Sequence, residues 1–241
     1  MLLEVHDVDK HFGGLVALQG ISFSVEHGET LGIMGANGAG KTTLFSLIAG
    51  HQNPTRGSIL LEGQKINGMR PDQISGLGVA RTFQIVRPFR GLSVLENVSS
   101  GALYGARKVR SIKRADELAS AILEDVRLKD RASDLAGSLT LAGFKRLELA
   151  KALATGPKVL LLDEVMAGLT PKEVNEAISI IESCKFKYGL TVVVIEHVMR
   201  ALMRMCNRIV VLDHGEMIAE GDPSQIAKDE NVIKAYLGEE V

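Results

Sequence analysis

The sequence predicts an α/β chain with a mostly parallel sheet, an N-terminal antiparallel β region and an inserted helical segment. Three observations carry that expectation. Four runs, TLGIM, VLLLD, TVVVIE and RIVVLD, are apolar on both faces, as strands are in a parallel sheet covered by helices on both sides. The first thirty residues instead hold short β segments, LLEVHDV and ISFSVEHG, with turns at Gly13-Gly14 and His27-Gly28. From Leu92 to about Leu135 the pattern becomes helical.

Taken in order, TLGIM leads into a glycine-rich loop and a helix, TTLFSLIAG, closed by Gly50. Asn53-Pro54 and Arg56-Gly57 mark a turn before the strand SILLEG. Ser93 with Glu96 forms a capping box, and ADELASAILEDVRL carries leucines and isoleucine at helical spacing. In SLTLAGFKRLELAKAL, Leu147, Ala150 and Leu153 share a helical face. The LTLAG before them is small and hydroxyl-bearing, which suits either loop filler or a helix N-terminus built to meet an anion. VLLLDE is a buried strand. Thr170-Pro171-Lys172-Glu173 is a capping box with proline at the first helical position, launching a helix to about Lys187. TVVVIEH and RIVVLDH are two further buried strands. Three strands end in Asp163-Glu164, Glu196-His197 and Asp213-His214, and in open α/β sheets ligands bind beyond the carboxyl ends.

Composition narrows the classes. The 241 residues can bury a sizeable core, and 46% of them are hydrophobic. No apolar run approaches the ~18 residues of a membrane span. The start, MLLEVHDVDKHF, is acidic and lacks a small-residue cleavage pattern, so no signal peptide is expected. Cys184 and Cys206 show no metal-ligand spacing and fit a reducing cytosol. Lys and Arg number 28 against 29 Asp and Glu, a balance that points away from nucleic acid as a partner. The exception is the cluster Arg107, Lys108, Arg110, Lys113 and Arg114, read as a solvated helix face, with a partner or anionic lipid as the alternative.

The chemistry is concentrated in two motifs. GANGAGKTT follows a strand, opens a helix and matches G-x-x-x-x-G-K-[ST] in full. Its residues are Gly35, Ala36, Asn37, Gly38, Ala39, Gly40, Lys41, Thr42 and Thr43. The glycines let consecutive backbone N–H groups turn inward as a nest for phosphate oxygens. Lys41 supplies a point charge to the β- and γ-phosphates, and the Thr42 hydroxyl is placed to ligate Mg²⁺. At the end of VLLLDE, Asp163 can hold Mg²⁺ through its water shell. Glu164, one residue on, can polarise a water for in-line attack on the γ-phosphate. Together these features predict a phosphate-loop NTPase core.

The order of features resembles the ATP-binding subunit of an ABC transporter over essentially the whole chain. That resemblance implies ATP and Mg²⁺ as cofactors and residues 1–241 as a single ABC ATPase domain. Residues 1–91 and 157–241 are then a RecA-like core with its antiparallel β region, and 92–156 a helical subdomain carrying the signature helix. It implies that Phe12, in KHFGGLVAL, stacks on adenine. Gln84, in ARTFQ, joins the core to the helical lobe, with Thr42 and Asp163 as Mg²⁺ ligands and with Glu164 and His197 as catalytic residues. His197, in VVVIEH, senses the γ-phosphate. Alone, Phe12 could be core, Gln84 incidental and His197 a capped strand-end histidine.

Within the family, KHFGGLVAL, RTFQIVRPFRGLSVLENV and MIAEGDPSQIAKDENVIKAYLG look most like importers of branched-chain and other hydrophobic amino acids. The resemblance then implies a chain peripheral to the cytoplasmic face of the membrane. Its expected partners are two permeases, a second ABC ATPase subunit, identical or not, and, indirectly, a solute-binding protein. Residues from about Ile85 to Val98 are expected against a permease.

The family signature usually reads LSGGQ, and here the pentad is Leu139-Thr140-Leu141-Ala142-Gly143. Thr140, Ala142 and Gly143 are expected to meet the partner subunit's ATP in trans. Alanine replaces a glycine, and Gly143 replaces the glutamine. Val165 stands where proline is common, and Thr170 where aspartate or asparagine is usual. These departures keep open a weakly active or silent dimerisation subunit beside an active partner. A soluble non-transport ABC protein is a further alternative, although the chain has neither paired cassettes nor a coiled-coil insertion. A phosphate-loop kinase or GTPase is disfavoured by Gln84, His197 and the signature-like helix, and no N-K-x-D run is present.

Overall fold

The computed structural model describes residues 1–82 and 88–237. Along the chain run β1 (Leu3–Phe12), β2 (Leu15–Val25), β3 (Thr30–Gly35), α1 (Lys41–Ile48), β4 (Arg56–Leu61), β5 (Gln64–Lys65), α2 (Pro71–Leu77) and β6 (Val79–Arg81). Helices α3 (Val94–Tyr104), α4 (Ile112–Asp125) and α5 (Leu141–Ala154) follow, then β7 (Val159–Asp163), α6 (Pro171–Tyr188) and β8 (Thr191–Ile195). The last elements are α7 (Met199–Met205), β9 (Arg208–Asp213), β10 (Glu216–Gly221), α8 (Pro223–Ile226) and α9 (Glu230–Leu237). They fall into two compact units, Met1–Ile74 with Thr191–Val241, and Ser75–Leu190.

In the first unit β3 lies between β8 and β9 and is parallel to both, while β10 pairs antiparallel with β9. Leu31, Ile33, Val192 to Ile195 and Ile209 to Leu212 are all buried, the two-sided burial that their unbroken apolar runs predict. Helix α1 adds Leu44, Phe45 and Ile48 to this core. The second sheet of the unit is antiparallel, in the order β2-β1-β4-β5. Leu3, Val5 and Val8 of β1 point inward. The β1–β2 register slips between Val5 and His11, where Asp7 takes a positive φ of 46°, so the pairing bends instead of running straight.

The second unit pairs β6 parallel with β7, every residue of which is buried. Helices α3, α4 and α5 pack on one another. Both expected capping boxes are present: Ser93 with Glu96 opens α3, and Thr170 with Glu173 opens α6 behind Pro171. Each capping carboxylate accepts hydrogen bonds from the backbone N–H and hydroxyl of its cap residue, which hold Glu96 and Glu173 below the ordinary range. Asp125, at the end of α4, accepts from Lys187 Nζ at 2.6 Å and from the Tyr188 hydroxyl, tying α4 to the end of α6. Burial pushes the Tyr188 hydroxyl up and raises the Cys184 thiol to about 11. Cys184 and Cys206 are both free and buried.

The basic cluster differs from its expected form. Arg107, Lys108 and Arg110 sit on the connection between α3 and α4, and only Lys113 and Arg114 belong to the first turn of α4. All five are exposed, but they do not share one helix face. Proximity along the chain suggested a helix that Gly105 and the positive φ of Lys108 interrupt.

Candidate nucleotide-binding and hydrolysis site

The phosphate loop leaves β3 at Gly35 and enters α1 at Lys41. Gly40, the residue before the helix, has a φ of 100° and offers no side-chain cap, so the first amides of α1 keep no partner from a capping side chain. Only glycine fits there: a Cβ would lie 2.5 Å from Leu18 Cδ2 and 2.7 Å from the Ala17 carbonyl oxygen. Lys41 is buried, and its ammonium donates to the carbonyls of Gly35 at 2.7 Å and Ala36 at 2.8 Å. A buried cation is thus held against the loop's own backbone, concentrating positive charge where the helix dipole is also positive. Thr42 is exposed, Thr43 half-buried, Ala39 buried, and Asn37 and Gly38 exposed. Residues Ala36 to Ala39 border a cleft of about 860 Å³ whose other walls include Asp213, His214, Asn231 and Lys234.

The parallel register Ile33↔Ile195 brings the end of β8, and so His197, to the same edge of the sheet as the phosphate loop. Gly35↔Leu212 does the same for Asp213. His197 is exposed at that edge. Phe12 ends β1 with its ring 43% exposed and Lys10 Nζ 4.9 Å from its centroid, so it is a surface aromatic and not part of the core.

In the second unit Asp163 is 1% exposed at the end of β7. One carboxylate oxygen accepts from Arg81 at 2.7 Å, and the Asp163 N–H donates to the Thr82 hydroxyl at 3.2 Å. The other oxygen, Oδ1, is buried and makes no hydrogen bond among the described residues. An orphaned acceptor on a buried carboxylate fits a cation or its water shell, and an oxygen donor set suits Mg²⁺, which commonly takes one or two carboxylates plus substrate phosphates. Among the described residues no group of three or more His, Cys, Asp or Glu is arranged to hold a metal by itself. Glu164 follows with a φ of 49°, a conformation L residues rarely adopt outside special sites. Its carbonyl accepts from Lys145 Nζ at 3.0 Å and from the Ala167 N–H at 3.3 Å.

Thr140 is the N-cap of α5, and its hydroxyl accepts from the Gly143 N–H at 3.2 Å. Ala142 is half-buried and Gly143 buried. The structure therefore brings Glu164 and the LTLAG helix together, through Lys145. Gln84 lies outside the described residues.

Arg81, Thr82 and Lys145 were missed from the sequence. A charged residue within the short run VAR, and a lysine flanked by Gly143, Leu147 and Leu149, are the signals that could have drawn attention to them. Their partners are 82, 81 and 19 residues away, beyond any local pattern.

Comparison with known proteins assigns the family. Residues 18–167 match the ABC transporter family, and residues 216–241 match the family described as branched-chain amino acid ATP-binding cassette transporter. The high-affinity branched-chain amino acid transport ATP-binding protein BraF of Pseudomonas aeruginosa is 38% identical, over 99% of this chain and 98% of its own. A nucleotide-free ATP-binding cassette from an ABC transporter superposes with a TM-score of 0.90 at 30% identity, covering 99% of both chains. A dimeric cassette in a post-hydrolysis state, bound to ADP and phosphate, superposes at 0.83 with 25% identity, over 92% of this chain and 99% of its own. With its uncapped phosphate loop, its Asp163-Glu164 pair and these whole-chain likenesses, the chain belongs to the ABC transporter family, among its ATP-binding cassettes.

Proposed function

We propose that this chain binds and hydrolyses ATP to power an importer of branched-chain or other hydrophobic amino acids. The observation that carries the chemistry is the start of α1, where an uncapped helix N-terminus, left-handed glycines and a buried lysine meet. The match of residues 216–241 supports the transported class. No helix among the described residues is long and apolar enough to cross a membrane. In this reading transport works through permease subunits, with the chain peripheral on the cytoplasmic face. A solute-binding protein delivers the amino acid from the other side.

In this reading the amides from Gly38 to Thr43 cradle the β- and γ-phosphates, and Lys41 turns its charge from the loop carbonyls to the phosphate oxygens. Phe12 stacks on the adenine. Thr42, Asp163 and Gln84 are the residues that would hold Mg²⁺, which would supply charge neutralisation to the phosphates. The Glu164 carboxylate accepts a proton from the attacking water, and His197 orients that water by donating toward the γ-phosphate. Residues 92–156 serve as the helical lobe, and Thr140, Ala142 and Gly143 close on the ATP of a second, head-to-tail cassette. Likeness to a dimeric cassette favours that arrangement.

Purification through a tag on this chain from native membranes tests the proposal. A pair of permeases and a second cassette are expected to copurify, and loss of the chain should abolish high-affinity uptake of labelled leucine, isoleucine or valine. Copurifying ribosomes, or unchanged uptake of all three, would overturn it.

A further inference from the structure

We propose that Lys145 is a positioning residue for ATP hydrolysis, holding Glu164 in the backbone conformation from which its carboxylate acts. The inference rests on the reading of Glu164 as the general base. Glu164 adopts a positive φ of 49°, which an L side chain resists and which persists only when surrounding contacts impose it. Among the described residues, donors that converge on its carbonyl oxygen include the Ala167 N–H at 3.3 Å, closing the turn after β7, and Lys145 Nζ at 3.0 Å, reaching across from α5. The turn is local and closes within the loop, whereas the lysine anchors that loop to a helix.

The surroundings make this anchor a strong one. Lys145 is only 8% exposed, and it borders a small cavity of about 20 Å³ lined also by Ala142, Leu149, Leu162, Val165 and the charged Arg146 and Glu173. A charged donor so deeply buried bonds strongly to a carbonyl, and its removal takes from that acceptor its charged partner. The cavity gives Val165 and the following turn space to shift once the anchor is lost. Rotation at Glu164 then carries the carboxylate away from the water that it must deprotonate, and a misplacement near 1 Å suffices to slow such a step. A lysine bonded to a backbone carbonyl acts on geometry, so nucleotide binding at the phosphate loop is left intact.

The test compares Lys145→Met, Lys145→Arg and Glu164→Gln in the complex that copurifies with this chain. It measures ATP turnover, affinity for a fluorescent ATP analogue and melting temperature. Lys145→Met is expected to lower kcat about 10- to 100-fold toward the Glu164→Gln floor, with affinity within about twofold of the unaltered protein. Lys145→Arg, which keeps a charged donor, should recover most of the turnover. Adding Lys145→Met to Glu164→Gln should cost nothing more, because there is then no base left to position.

Unaltered kcat in Lys145→Met beside a dead Glu164→Gln would overturn the proposal and leave the base assignment standing. Full activity in Glu164→Gln would remove the base assignment, and with it this role for Lys145. Should Lys145→Met fail to fold, Lys145→Gln decides, since it keeps a shorter, uncharged donor. An intermediate kcat supports the role, and a kcat equal to the unaltered protein refutes it.

Discussion

Helix α1 and helix α5 begin in opposite ways. At α1 the preceding residue is a left-handed glycine without a capping side chain, and the nearby cation is turned onto the loop that surrounds the helix start. At α5 the preceding residue is Thr140, whose hydroxyl already accepts from the Gly143 N–H. The first N-terminus is kept open for a ligand by backbone geometry that costs stability. The second is closed on itself and stabilises its helix whether or not a phosphate is near. Two glycine-containing helix starts that look alike in sequence are therefore built for different work: one binds, and the other presents a finished surface.

Substitutions should separate the two. Lys41→Ala should weaken ATP binding by about 100-fold, as loss of a charged hydrogen-bond partner of up to about 3 kcal/mol implies, in a titration with a fluorescent analogue. Changes at Thr140 should leave that titration untouched in the isolated chain. Glycine-to-alanine exchange sharpens the contrast. Gly40→Ala meets the Ala17 carbonyl and Leu18 at a φ of 100°, and the backbone strain alone should cost about 1–3 kcal/mol in denaturant unfolding. Gly143→Ala meets nothing closer than Leu139 Cβ at 3.1 Å, and its gain in helix propensity of up to ~1 kcal/mol should leave stability nearly unchanged. Thr140→Ala should cost about 1 kcal/mol, seen as a melting temperature lower by about 2–4 °C.

A pH-dependent effect is expected at a third helix start, α6, whose full capping box ends in an ionised carboxylate. Glu173 is held below its ordinary value of 4.5 by hydrogen bonds from the Thr170 backbone and hydroxyl. Its contribution is therefore complete above the unfolded value and fades as the pH falls through the lower folded one. Glu173→Gln should lower the melting temperature slightly at neutrality, where the contribution is complete, and flatten its decline below about pH 4.5.

How much of this was legible in the sequence follows from range. Both expected capping boxes and the Thr140 cap are written within four residues and the phosphate loop within nine, Gly35 to Thr43, so motif and geometry coincide. The buried strands β3, β7, β8 and β9 announce themselves because burial on both faces leaves an uninterrupted apolar run. Strand β6 spans only three residues, and β5 only two, too short to establish a period. The Arg81–Asp163 pair joins residues 82 apart, and its ion-paired, half-satisfied carboxylate is a property of packing that no local pattern contains. The left-handed backbone of Glu164 was likewise unreadable: a glutamate after an aspartate does not signal its own φ.

The contrast between an open helix start and the carboxylate proposed as catalytic, set elsewhere in the chain, makes one measurement decisive. ATP turnover and ATP affinity should be measured side by side for Glu164→Gln in the complex copurified with this chain. With Glu164 as the proposed general base, kcat is expected to fall about 10²- to 10⁴-fold with affinity retained, because in that proposal binding belongs to Lys41 and the α1 amides. Turnover equal to that of the unaltered complex would contradict the account at its centre.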